Sequence, residues 1–180
     1  MAQAAVFIIN GFEEIEAVAT IDILRRAGVK TEVVSLEPTL QVTGSHQLVL
    51  TADRPLAGLN PDAYDILIIP GGTIAYVERP EFMSLIAAQA AKKSQRLAAI
   101  CAAPTVFGRL GLLKGLKAVC YPGFEKELTE AQILNVPVVT DGLITTGRGP
   151  GLALDFALEI VSLIVSLEAA QTVKKGLLLA

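Results

Sequence analysis

Apolar residues fall along the chain in two rhythms. Short apolar-rich runs read as strands: AAVFII (4–9), TEVVSL (31–36), DILIIPGG (65–72), RLAAI (96–100), KAVCY (117–121), VPVVTD (136–141) and LITTG (143–147). Between them the spacing turns helical over EEIEAVATIDILRRAG (13–28), PEFMSLIAAQAAKKSQ (80–95) and PTVFGRLGLL (104–113), and again from Gly151 onward. The first helix is acidic at its start and basic before Gly28, as the helix dipole favours. A turn at Thr43-Gly44-Ser45 marks QVTGSHQLVLTAD (41–53) as a β-excursion. Strands alternating with helices predict βαβ units, hence an α/β doubly wound fold with a mostly parallel sheet. Such a sheet binds ligands at the carboxyl ends of its strands, where the winding direction switches.

Composition sharpens this picture. The 180 residues are 52% hydrophobic and 18% charged, which suits strands buried on both faces and excludes a disordered chain. That length fits one domain over residues 1–180 with a substantial core. A net charge of −3 without a basic cluster argues against nucleic acid as a partner. The apolar segment 152–167 is too short to cross a membrane. Its Asp155, Glu159, Ser162 and Ser166 draw one polar stripe, predicting an amphipathic helix over a core. Two cysteines form no disulfide framework, and one histidine without CxxC supports no metal site. With no signal-peptide pattern at MAQAAVFIIN, the expected location is the reducing cytoplasm.

Three predicted strand ends carry the chemistry. After RLAAI comes CAAP, with Cys101 where a helix begins. One reading is a buried thiol acting as a small hydrophobe. The other is a nucleophile at a strand-to-helix elbow, its thiolate favoured by unpaired N–H groups. In that reading Ala102 and Ala103 leave room for substrate, and Pro104 suits a first helical turn. Glu13 and Glu14 read as helix-start acids. Glu16 lies among Ile15, Ala17 and Val18, and a carboxyl partly buried there would hold or pass a proton. Gly71 and Gly72 read either as a turn or as backbone donors for an oxyanion. His46 reads as a solvated loop residue, Cys120 as structural, and Arg148 as a surface arginine or an anion contact.

Taken together, FEEIEAVATIDILRRAG, YDILIIPGG, AAICAAP and LITTGRGPGLALDFALEIV resemble the ThiJ/PfpI superfamily. The likeness falls in the branch of the parkinsonism-associated deglycase and its bacterial relatives. It implies one class I glutamine amidotransferase-like domain with a flavodoxin-like sandwich, helices on both faces, and a homodimer. It implies Cys101 as nucleophile, Glu16 hydrogen-bonded to it, and Gly71, Gly72 and Ala102 around the oxyanion. No cofactor and no metal are implied. The implied activities are cofactor-independent conversion of small reactive carbonyls to hydroxy acids, deglycation, and oxidative-stress protection through a cysteine sulfinate. The family's peptidases place a histidine directly after the cysteine. Ala102 stands there, so peptidase activity is not implied. Tyr121, before Pro122, stands where the eukaryotic deglycase has a site histidine. His46 falls where relatives extend a polar residue toward the partner's site, in trans. Three functions stay open: a carbonyl enzyme, a redox-responsive or chaperone-like protein with little turnover, and a binding module without chemistry.

Overall fold

The computed structural model describes residues 1–179. Its strands are β1 (Gln3–Ile8), β2 (Lys30–Ser35), β3 (Gln41–Thr43), β4 (Val49–Thr51), β5 (Arg54–Pro55), β6 (Ile66–Ile69), β7 (Arg96–Ile100), β8 (Lys117–Ala118), β9 (Gln132–Ile133), β10 (Val138–Asp141) and β11 (Ile144–Gly147). The helices are α1 (Glu14–Arg26), α2 (Pro80–Lys92), α3 (Pro104–Arg109), α4 (Ala153–Ile164) and α5 (Leu167–Gly176). Seven strands form one sheet in the order β10-β11-β7-β6-β1-β2-β5, parallel except for β10. The chain leaves β1 toward β2 on one side and returns to β6 on the other. The winding therefore switches between β1 and β6.

Alternate residues of each strand enter opposite cores. Ala4, Val6 and Ile8 of β1 face α1, α4 and α5, through Ala17, Ile21, Phe156, Ile160 and Val173. Ala5 and Phe7 face α2 and α3, through Phe82, Ile86, Val106 and Phe107. Phe7 and Phe82 meet edge to face with centroids 5.0 Å apart. Covering on both sides is why the strands carry no polar alternation. Among the described residues, no helix is long and apolar enough to cross a membrane.

The structure corrects the pattern in three places and, at 138–147, adds the direction of a strand pair. The run 117–121 keeps only Lys117–Ala118 as strand, paired with β9 outside the main sheet. Beyond it the backbone donors go elsewhere. Val119 N–H donates to the Thr146 hydroxyl at 3.0 Å and Tyr121 N–H to the Cys101 carbonyl at 2.8 Å. The helix at 104–113 stops at Arg109. Gly108 packs so closely on the Glu127 carbonyl that no Cβ would fit. Residues 138–147 form an antiparallel hairpin, because the Gly142-Leu143 turn is too short for a parallel crossover. Ser166 leaves the polar stripe of α4 and caps α5 instead, its hydroxyl accepting from Ala169 N–H at 3.1 Å.

Candidate active site

The carboxyl ends of β1, β6 and β7 meet at the switch between β1 and β6. The loop after β6 seats against the loop after β1. Gly71 O accepts from Glu13 N–H at 2.9 Å. Gly72 takes φ +90°, and a Cβ there would strike the backbone of Gly11, Phe12 and Glu13. Only glycine fits that position. Glu13 caps α1, its Oε2 accepting from Glu16 N–H at 2.8 Å. The cap sets the first turn of the helix so that Glu16 points inward, fully buried.

Cys101 follows β7 with φ +66°, in the left-handed region that a residue with a Cβ adopts at a cost of about 1–3 kcal/mol. Its peptide is pinned on both sides. Its N–H donates to Gly147 O at 2.9 Å, and its carbonyl accepts from Tyr121 N–H at 2.8 Å. The strand-to-helix turn is sharp at Cys101, and the residue is at the same time buried in the core. It is 8% exposed, so the sulfur lies at the bottom of the strand-end crevice with little contact with solvent.

Glu16 and Cys101 both pack on Gly71, close enough that each shifts the other's pKa. Glu16 Oε2 accepts from Gly71 N–H at 2.7 Å, while Oε1 has no partner among the described residues. Burial raises the Glu16 carboxyl to about 7, against the hydrogen bonds from Gly71 and Cys101 that favour its ionised form; Glu13 adds to the rise. Burial also pushes the Cys101 thiol up to about 12, with the charge of Glu16 adding to it. The N–H groups of Gly72 and Ala102 pull it the other way. The expected low-pKa thiol is thus corrected: burial and a neighbouring carboxylate outweigh the backbone donors. The pair holds two protons below about pH 7 and one between about 7 and 12. When that proton sits on Glu16, the charge opposing the thiolate is gone and the carboxylic O–H is free to donate toward sulfur.

Other expected residues fall in different places. The Gly71 N–H is taken by Glu16, which leaves Gly72 and Ala102 as the donors beside the sulfur. Ala102 and Ala103 are 4% and 1% exposed and fill the two cores, so they do not open space for substrate. Tyr121 is exposed at the rim, its ring against Gly149. Arg148 follows Gly147 directly, half-buried. Cys120 is buried, and burial raises its thiol to about 11, with Glu125 raising and Arg148 lowering it.

His46 joins Glu14 within the chain. Its Nδ1 lies 3.0 Å from Glu14 Oε2, and Ser45 Oγ donates to the same oxygen at 3.1 Å. Glu14 is therefore more than a helix-start acid. Burial alone would raise its carboxyl, but hydrogen bonds from His46, its own backbone and Ser45 hold it down at about 2. Ligand atoms of Glu13, Glu14 and His46 lie within 4.8 Å of one another, yet Glu13 and Glu14 already serve as cap and hairpin anchor. One residue went unread in the sequence: Tyr76, fully buried, donates to Phe7 O at 3.2 Å near enough to Glu16 to sense its charge. It sits in a one-turn helix, Ala75–Glu78, that no periodicity announces.

These features define a class: a doubly wound α/β sandwich whose strained cysteine, at a strand-to-helix elbow, is paired with a buried carboxyl. The chain matches the DJ-1/PfpI family over residues 2–163 and belongs to it. It is 36% identical to Protein dj-1beta of Drosophila melanogaster over 98% of this chain and 97% of that one. The crystal structure of that fly protein superposes with a TM-score of 0.94 over 99% of this chain and 98% of the other, at 35% identity. The flavodoxin-like fold is thereby shown. The chain is 37% identical to Protein DJ-1 homolog B of Arabidopsis thaliana over 98% of its own length but spans only 41% of that protein. It is 32% identical to the Glutathione-independent glyoxalase DJR-1.2 of Caenorhabditis elegans, over 93% of this chain and 91% of that one.

Proposed function

We propose that this protein is a cofactor-independent, cysteine-dependent enzyme acting on small reactive carbonyls. The observation that carries the reading is the juxtaposition of a strained cysteine, Cys101, with the buried Glu16 carboxyl, both packed on Gly71. The likeness to a glyoxalase supports it.

With methylglyoxal, Cys101 Sγ attacks the aldehyde carbon. A C–S bond forms and the carbonyl pair moves to oxygen, beside the Gly72 and Ala102 N–H groups. The thiol proton passes to Glu16 and then to that oxygen, giving a thiohemiacetal. Glu16 next removes the C1 proton to form an enediol, and reprotonation at C2 leaves a hydroxy thioester. Water cleaves the C–S bond, releases lactate and restores the thiol. The aldehyde carbon is oxidised and the ketone carbon reduced within the same molecule. Deglycation would use the same addition on a glycated amine or thiol.

In a methylglyoxal assay the wild type turns over, Cys101→Ala does not, and Glu16→Gln loses about 100-fold or more in rate. Wild-type kcat/KM rises with pH through about 7, as the pair gives up its first proton, and Glu16→Gln lacks this limb. Equal rates in wild type and Cys101→Ala, or turnover in neither, would sink the reading.

One observation favours a second, redox role: the Gly72 and Ala102 N–H groups favour negative charge on the sulfur. Two equivalents of peroxide would convert Cys101 to a sulfinate whose oxygens accept from Gly72 and Ala102. Intact-mass analysis should then find two oxygens on Cys101 before any on Cys120; equal oxidation of both opposes this role. We further propose a cytoplasmic homodimer. Exposed Ile15 and Val18 on α1, with Leu48 and Val49 on the β3-β4 hairpin, flank the Glu14–His46 contact and supply an apolar face, which would set His46 near a partner's site in trans.

A further inference from the structure

Six of the seven arginines have a recorded acceptor for the guanidinium: Arg25 and Arg26 reach acids, Arg54 a carbonyl, Arg79 an acid, Arg96 a carbonyl and Arg109 an acid. Arg148 alone has none among the described residues. It is half-buried as a residue, while its guanidinium nitrogens stay open to solvent and so to a ligand. Its place is not incidental. The residue before it, Gly147, accepts the Cys101 N–H. The residue after it, Gly149, lies under the ring of Tyr121, whose N–H donates to the Cys101 carbonyl. Its own N–H is fastened to Pro137 O at 3.0 Å. A fixed backbone thus holds Arg148 next to the elbow, and its charge is felt by the Cys120 thiol, one residue before Tyr121. Glu125, which acts with Arg148 on the Cys120 thiol, has its Oε2 occupied by Gly123 N–H at 2.8 Å and forms no ion pair with Arg148.

We propose that Arg148 is the anion-recognition residue of this site, and that the preferred substrate is a 2-oxoaldehyde carrying a carboxylate on the carbon chain. This deepens the proposed function and rests on it for the chemistry, though not for the binding. Guanidinium forks pair with carboxylates in two parallel hydrogen bonds, which both holds and orients the chain. The aldehyde end would then lie at Cys101 Sγ. For 4,5-dioxopentanoate, addition of one water across the rearrangement yields 2-hydroxyglutarate and one proton. The aldehyde carbon gives up the electron pair that the ketone carbon gains.

Two measurements separate this proposal from the parent reading. The first is calorimetric binding of 2-hydroxyglutarate and of lactate to the reduced protein, which needs no turnover. Wild type should prefer 2-hydroxyglutarate. Arg148→Gln should weaken that binding by about ten-fold or more, with Arg148→Lys in between, while exposed Arg109→Gln serves as an unchanged control. The second is the ratio of kcat/KM for 4,5-dioxopentanoate over methylglyoxal, which should fall about ten-fold in Arg148→Gln through KM. Failure of both substrates to turn over, with Arg148-dependent binding intact, strikes the enzyme reading and supports the anion site. Absence of 2-hydroxyglutarate binding, or binding equal in wild type and Arg148→Gln, overturns the proposal whatever the enzyme does.

Discussion

At the scale of single residues, position along the chain and chemical state came apart. Cys101 stands where the pattern put it, at the end of β7, yet its thiol is pushed up to about 12, not down. The sequence shows which residues flank the sulfur. It does not show that Glu16, far upstream, faces the sulfur from α1. Glu16 was legible as an acid among apolar neighbours, and burial raises its carboxyl from 4.5 to about 7. That has a cost for stability. Below about pH 4.5 the folded and unfolded chains both hold the proton. As pH rises, the unfolded chain ionises first, and stability falls until the folded carboxyl ionises near 7. Glu16→Gln removes this dependence while keeping an acceptor for Gly71 N–H. Between about pH 4 and pH 8, urea unfolding should show the variant gaining on wild type by an amount on the order of 3 kcal/mol. A constant difference across that range would mean that the folded and unfolded chains bind the Glu16 proton alike.

At the scale of elements, the long strands and helices were readable and the short ones were not. Residues 4–9 and 96–100 lack polar breaks because helices cover both faces, and that shows directly in the pattern. Residues 104–113 look equally helical, but α3 ends at Arg109, where the turn carrying Glu127 comes down on Gly108. A contact across nineteen positions overrides local propensity. Gly108→Ala should therefore destabilise although alanine is the better helix former. Thermal unfolding should show Tm lowered by about 5–10 °C, from an overpacking cost of about 2–3 kcal/mol. A raised Tm would show that propensity governs the site. Residues 117–121 fail as a strand for a related reason. Their donors are used by Thr146 and Cys101, so the segment closes the site in place of extending the sheet.

At the scale of the whole molecule, the doubly wound topology gathers residues that lie far apart in sequence. It sets Glu16, Gly71 and Cys101 at one crevice, with Gly72, Tyr121 and Arg148 around it. It leaves Ile15, Val18, Leu48 and Val49 exposed together with the Glu14–His46 contact. If that face joins two copies, sedimentation should find a dimer for wild type and a monomer for Val18→Glu with Leu48→Glu, each folded by circular dichroism. A wild-type monomer at micromolar concentration would remove the dimer and any role for His46 in trans.

By itself the sequence determined the alternation of strands and helices, the apolar character of the sheet, and the identity of Cys101 and Glu16 as the residues to watch. Those follow from periodicity and residue type, which are local. Tertiary structure alone decided which donors remain free beside the sulfur, where the proton of the pair resides, and that Arg148 is left without an acceptor. Hydrogen-bond partners and burial depend on what the fold brings from elsewhere, and for buried groups those two quantities set charge.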